Sequence, residues 1–304
     1  MKLKQNISWL LLVAGISVTM IACEKDMDEY APERPIGGYS SSSEIASENL
    51  VAHWAFENVL TDSVSNISAT ATGTAFAAGR KGQGFKGAAD GYALVDAPGT
   101  RLPAMQSFTI AFWMNTAQPD GKAAGIFSMN NLDDFWGNLD VYMEPYKLGT
   151  SPNPDTAFMK VHLFNDNAVW KGQFPDVKIP AAIGKWVHIA ATYNATTSVY
   201  AFYANGLELG VNSAGNTNNT KSPKLRGNSP DNGDVFYGPI KFANATKLVF
   251  GTFQFQTNPS LTNNATAQGW AQSFTGTLDE FRIYDVALGA GDVSALFKLE
   301  ALGR

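Results

Sequence analysis

The sequence predicts an all-β chain: two antiparallel sheets packed as a jelly-roll sandwich, with one short helix near the C-terminal end. Three observations predict it. Short runs of period-two alternation recur between clusters of Gly, Asn, Asp and Pro. An Asn-Gly pair joins two such runs. Only residues 290–299 read as an amphipathic helix, and strands without interleaved helices argue against a parallel α/β sheet.

The first 22 residues read as a lipoprotein signal peptide. Lys2 and Lys4 form a positive start, and residues 9–21 are an apolar run too short for the ~20 residues that span a bilayer. Met20-Ile21-Ala22-Cys23 resembles a lipobox, and Cys23, the single cysteine of the chain, is the expected lipidation site. Acyl chains add about 0.8 kcal/mol of membrane affinity per buried CH2, so several of them anchor a protein firmly. Residues 23–48 are polar and hold Pro32, Pro35, Gly37, Gly38 and four consecutive serines, the composition of a disordered tether. The acidic residues Glu24, Asp26, Asp28 and Glu29 resemble the export signal of Bacteroidetes surface lipoproteins. The expected location is therefore the outer membrane, lipid-anchored and facing the cell surface.

Residues 49–304 are expected to form one domain. In residues 107–115, Phe108, Ile110, Phe112 and Met114 share one face. Val187, Ile189, Ala191 and Tyr193 do the same in residues 186–193. Residues 199–203 and 207–211 flank Asn205-Gly206, a pair suited to a type I′ turn. Residues 247–255 and 274–285 complete the clear strands. Residues 212–245 and 256–272, rich in Asn, Gly, Ser, Thr and Pro, read as long loops.

Composition narrows the chemistry. Once Lys2 and Lys4 leave with the signal peptide, 20 basic residues face 27 acidic ones, an unfavourable balance for binding nucleic acid. With Cys23 lipidated there is no thiol for a disulfide, a nucleophile or a metal. His53, His162 and His188 show no metal-ligand spacing.

Five segments, in order, resemble the LamG-like jelly-roll (concanavalin A-like lectin/glucanase) domains. They are residues 50–56, Gly82-Gln83-Gly84-Phe85 with Gly87, residues 107–113, residues 185–193 with Asn205-Gly206, and residues 276–284 with Leu288. The resemblance spans residues 50–299 and implies two curved antiparallel sheets, often a structural calcium ion, and frequent glycan binding. The same family holds protein-binding members, so the fold leaves the function open.

Several motifs carry candidate chemistry. Gly82, Gly84 and Gly87 spell G-x-G-x-x-G, but a strand-like segment follows where a dinucleotide site needs a helix. Asp279 shares a face with Phe281 and Ile283 on an unbroken strand, and a carboxylate facing a core needs a partner. The resemblance implies calcium there, and Glu57 and Asp62, just after the first strand, are the expected partner ligands; backbone amides near the strand end are the alternative partners. Asn138, Asp140, Tyr142 and Glu144 lie on one face of an expected strand. Glucanases of this fold carry two glutamates flanking an aspartate on such a strand, a pattern that this segment does not match. Asp140 and Glu144 would stand ~13 Å apart, against ~5–9.5 Å for glycosidase carboxylates. Asp62-Ser63-Val64 and Asp155-Thr156-Ala157 resemble a short bacterial O-glycosylation motif.

Trp54, Trp113 and Trp186 fall in structural motifs, which leaves Trp136, Trp170 and Trp270 in less regular segments. Asn and Asp surround Trp136 and precede Trp170, the mixture that stacks on a sugar ring and bonds its hydroxyls. Trp136, Asp140, Tyr142 and Trp170 are the expected ligand contacts. The expected function is non-catalytic capture of a polysaccharide or a glycoprotein glycan near outer-membrane glycan-uptake proteins. A glycoside hydrolase or polysaccharide lyase and a protein-binding or adhesive module are the alternatives.

Overall fold

The alternation along residues 107–115 becomes the strand Phe108–Asn115, with Phe108, Ile110, Phe112 and Met114 all at most 1% exposed. The computed structural model describes residues 33–148, 151–152 and 155–304; the expected signal peptide, Cys23 and the expected tether up to residue 32 lie outside them. Two sheets enclose one core. The helix-side sheet runs in the order Leu207–Leu209, Val199–Ala204, Val187–Asn194, Phe108–Asn115 and Thr277–Tyr284. Thr277–Tyr284 then pairs Gln83–Lys86 along its first half and Leu50–Trp54 along its second. The groove-side sheet is centred on Ala157–Phe164, Leu139–Glu144, Ala123–Met129 and Leu248–Phe250. Between the sheets, Phe250 meets Trp54 at 4.9 Å and Phe281 at 5.0 Å, both edge to face, the favoured geometry for buried rings.

The hairpin forms as expected: Asn205 and Gly206 take φ of 49° and 73°, the positive angles of a type I′ turn. The strand expected over residues 247–255 stops at Phe250, because Gly251 turns the chain at φ 85°. Residues 212–245 are less irregular than expected. Val211–Ser213 and Asn216–Thr220 pair there as a small hairpin.

The closing strand corrects the expected face of Asp279. Leu278 pairs with Met114 and Asp279 with Trp113, but Arg282 pairs with Ala111, so Glu280 and Phe281 stand opposite a single residue. This is a β-bulge, with Glu280 at φ 47°, and it resets the alternation. Leu278, Phe281 and Ile283 face the core, while Asp279, Glu280 and Arg282 join the outer side of the sheet, beneath the helix Ala290–Ala301. Glu280 accepts bonds from His53 Nε2 at 2.9 Å and Arg282 Nη2 at 2.8 Å. Arg282 Nε reaches Glu300 Oε1 on the helix at 2.7 Å, and Trp113 Nε1 donates to Glu300 Oε2 at 2.8 Å.

Residues 35–48, expected to be tether, belong to the folded unit. Pro35–Arg304 forms one compact unit, Ile45 is 1% exposed, and Ile36, Tyr39 and Ala46 pack with the helix cluster. Tyr39 donates to Asp292 at 2.9 Å. Four apolar or aromatic residues spread through a polar stretch are enough to hold it down. No helix among the described residues is long and apolar enough to cross a membrane.

The buried network predicts a pH signature. Two carboxylates face one guanidinium, so burial pushes Glu300 up to about 7, while Glu280, also held by His53, falls to about 2 despite its burial. A raised carboxyl favours the folded state fully below its ordinary value, and that contribution is lost as pH rises to about 7. In urea melts, Glu300→Gln should therefore compare worst with the native chain near pH 4, and the gap should shrink by pH 8. A pH-independent gap would contradict a raised Glu300. Arg282→Ala strands both carboxylates and should cost about 3–5 kcal/mol.

Candidate carbohydrate-binding groove

The outer face of the groove-side sheet carries a polar line across three neighbouring strands. Ser128, Asp140 and His162 are register partners on Ala123–Met129, Leu139–Glu144 and Ala157–Phe164. Ser128 donates to Asp140 Oδ1, and His162 Nδ1 lies 3.0 Å from Asp140 Oδ2. A carboxylate accepts from a protonated ring nitrogen, so Asp140 holds a hydrogen on His162 Nδ1 and fixes the ring's orientation.

Aromatic rings lie over this line. Trp136 stacks on Tyr142 with ring centres 5.6 Å apart and 21° between planes. It also meets His162 at 5.6 Å, Phe174 at 5.3 Å and Trp270 at 5.8 Å. Its loop is fixed locally: Trp136 N donates to Asp134 Oδ1, and Gln254 Nε2 donates to the carbonyls of Asp134 and Phe135. Trp170 sits on the turn between Phe164 and Gly172, where its N–H donates to Gly227 O at 2.9 Å.

Trp136 and Trp170 wall the same open depression of about 470 Å3, together with Asp134, His162, Val169 and Phe174. That volume lies within the ~300–1,000 Å3 typical of small-molecule sites. Trp170, Phe174 and Trp270 are 39%, 37% and 42% exposed, whereas Trp136 is half-buried. Asp140 and Tyr142 point to this side as expected but are 1% and 2% exposed, so they position His162 and Trp136 and do not reach the groove themselves. Asp140 and Glu144 are engaged separately, the first by Ser128 and His162, the second by Lys160 Nζ at 2.8 Å. His162 and Phe174 were missed in the sequence, because cross-strand register cannot be read from spacing.

The expected calcium ligands behave differently. Asp62 is fully buried and accepts bonds from the N–H groups of His53, Val64 and Ser65 and from the Ser65 hydroxyl. Asp279 Oδ2 accepts from Lys81 N at 2.8 Å, and Glu57 Oε2 accepts from Gln83 N at 2.9 Å. Burial pushes Asp279 up to about 7. Calcium takes six to eight oxygens, and among the described residues no three His, Cys, Asp or Glu side chains converge on such a point. As arranged, Glu57, Asp62 and Asp279 hold loop amides. The glycine string has a packing role too. A Cβ at Gly87 would lie 2.0 Å from Phe274 O, and one at Gly84 would lie 2.7 Å from Leu278 O.

These contacts predict that Asp62→Ala lowers stability by about 2 kcal/mol or more, because several buried donors lose their acceptor. Melting with calcium and with chelator should show the same deficit. A deficit that disappears in chelator would restore the metal.

Comparison with known proteins agrees with this architecture. The Laminin_G_3 family model, described as the concanavalin A-like lectin/glucanases superfamily, matches residues 86–245. No curated protein matches the chain. Among solved structures, the receptor-binding domain of botulinum neurotoxin C/D mosaic serotype is 12% identical with a TM-score of 0.51, over 83% of this chain and 51% of that one. The binding domain of Paraclostridial Mosquitocidal Protein 1 is 17% identical with a TM-score of 0.51, over 82% and 52%. Domain 4 of a GH43 extracellular arabinanase from Geobacillus stearothermophilus, in complex with arabinotriose, is 19% identical with a TM-score of 0.49, over 82% and 98%. The chain spans about half the length of the two toxin domains, and at these identities the likeness is one of fold. By its family match and its two-sheet architecture, the chain belongs to the concanavalin A-like lectin/glucanases superfamily.

Proposed function

We propose that this protein is a surface lipoprotein, anchored through Cys23, whose groove-side sheet binds a glycan without cleaving it. The observation that carries the reading is the shared depression: Trp136, Trp170 and Phe174 present ring surface around Asp134 and His162. Sugar rings offer C–H faces to such aromatics and hydroxyls to such polar groups. The two carboxylates on Leu139–Glu144 support a non-hydrolytic role, because each is tied to a basic or hydroxyl partner. Anchoring at the membrane would raise the local glycan concentration near uptake proteins. The exposed apolar surface of Val169, Trp170 and Phe174 also favours a second reading, a protein partner docked on the same face.

The test is a polysaccharide panel against the full chain, following tryptophan fluorescence and reducing-end release together. Binding without release is expected, and Trp136→Ala and Trp170→Ala should each weaken it about tenfold or more. Sugar release would replace this reading with an enzyme, and silence across the panel would favour the protein partner. Cys23→Ala should move the protein out of the membrane fraction; unchanged fractionation would remove the anchor from the proposal.

A further inference from the structure

A second depression of about 360 Å3 adjoins the first and shares Trp170, Gly172 and Phe174 with it. Its remaining walls include Gln173, Asp176, Asn212 and Ser213. Gln173 is 2% exposed, and neither end of its carboxamide has a hydrogen-bond partner. Ser213 is 8% exposed, and its hydroxyl is also unpartnered. Buried polar groups nearly always find partners, so two orphans in one small depression point to a partner absent from the folded chain itself. Asp176, which also lines this depression, receives Asn212 Nδ2 on Oδ1 at 3.0 Å.

The charges define the ligand further. Lys171 is the cation among the residues lining the two depressions, and its ammonium is held by Asp166 at 2.8 Å. Asp134 and Asp176 remain as carboxylates along the walls. An anionic sugar would meet these carboxylates with no uncommitted cation to offset them. An uncharged hydroxyl can both donate to Asp176 and pair either end of the Gln173 amide.

We infer that the second depression is a further sugar subsite, so that the groove holds an uncharged glycan chain of at least two units across Trp170, with Gln173 and Ser213 bonding its hydroxyls. The inference rests on the glycan reading above. A modest turn of the Gln173 side chain toward the depression would give the amide the partners it lacks.

The probes are neutral xylo-, cello-, manno- and arabino-oligosaccharides of two to six units, with oligogalacturonides as the charged counterpart, titrated calorimetrically into the full chain. Affinity in the bound series should rise with length and then level off. Gln173→Leu should weaken the longer members about tenfold while leaving the shortest binder unchanged; Ser213→Ala should act in the same direction. Because Gln173→Leu replaces an unpartnered buried amide by a side chain of similar size, its melting temperature should equal or exceed that of the native chain. Trp136→Ala should weaken all lengths alike. Length-independent affinity, or a Gln173→Leu chain that binds every length as the native one does, overturns the second subsite and leaves the first standing. Tighter binding of oligogalacturonides overturns the uncharged class. No binding of any oligosaccharide overturns the glycan reading itself, and the inference with it.

Discussion

Irregular backbone laid over a sandwich must find partners for its buried N–H and C=O groups, and the groove depends on how this chain meets that demand. Four fully buried carboxamides meet it. Asn130 Oδ1 accepts from Thr246 N and Lys247 N, while its Nδ2 donates to Leu261 O. Asn138 bonds Asn130 O and both polar groups of Ala243. Asn165 Nδ2 donates to Tyr237 O and Pro239 O, while its Oδ1 accepts from Asn167 N and Lys241 N. Gln254 holds Asn131 N and the carbonyls beneath Trp136. Each amide offers a donor and an acceptor end, so it can substitute for a strand neighbour where no strand exists. The two loops that frame the groove are thus tied to the sheet edge at many points, and Trp136 and Trp170 inherit that rigidity.

The two outer sheet faces are treated in opposite ways. On the helix side, the bulge at Glu280 turns three ionisable residues outward, and the strand would expose or strand them without a cover. The helix Ala290–Ala301 and residues 36–49 supply it, with Glu300 reaching in to Arg282. His188 lies in the same layer, 3.6 Å from Glu300, too far for a hydrogen bond. Burial and then Arg282 lower it to about 3, so it stays neutral. On the groove side, no such cover among the described residues closes the aromatic row, and the polar line beneath it is sealed by rings and not by a helix.

Much of the sandwich was legible because period-two alternation is a local property. Phe108 to Met114 and Val187 to Tyr193 bury the faces their spacing dictates. The Asn205-Gly206 turn follows from two residues that accept positive φ. What failed was non-local. One inserted residue at the bulge moved Asp279 away from the face of Phe281, and nothing in the string Gly276 to Tyr284 announces it. Asp140 and Tyr142 were placed on the correct side, but their burial depends on Trp136 and on the Phe253–Phe255 cluster folding over them. Trp270 seemed peripheral in sequence, yet parallel pairing of Ala271–Ser273 with Ala123–Met129 brings it to 5.8 Å from Trp136. Gln173 carried no sequence signal at all, since an orphaned amide is defined by what surrounds it.

The groove also has a thermodynamic logic. Leaving Trp170, Phe174 and Trp270 more than a third exposed forgoes roughly 25 cal/mol of stabilisation for each Å2 of apolar surface kept in water. A chain that fully buries Trp54, Tyr193, Tyr200, Tyr284 and many of its phenylalanines has surplus core to tolerate this. The rings are not loose, however. Trp136 is pinned by Tyr142 beneath it and by its clamped loop, and His162 is oriented by Asp140. Their conformational entropy is surrendered in folding, so a ligand that stacks there need not order them again, and more of its contact energy appears as affinity. Gln173 works in the opposite sense: its unpartnered amide would gain hydrogen bonds from a hydroxylated ligand in the proposed subsite, which would make discrimination between hydroxylated and bare surfaces steeper than stacking alone allows. Aromatic stacking alone would accept any flat apolar group. The combination of fixed rings with unpartnered hydrogen-bonding groups is what favours a sugar chain over an apolar protein patch on this face.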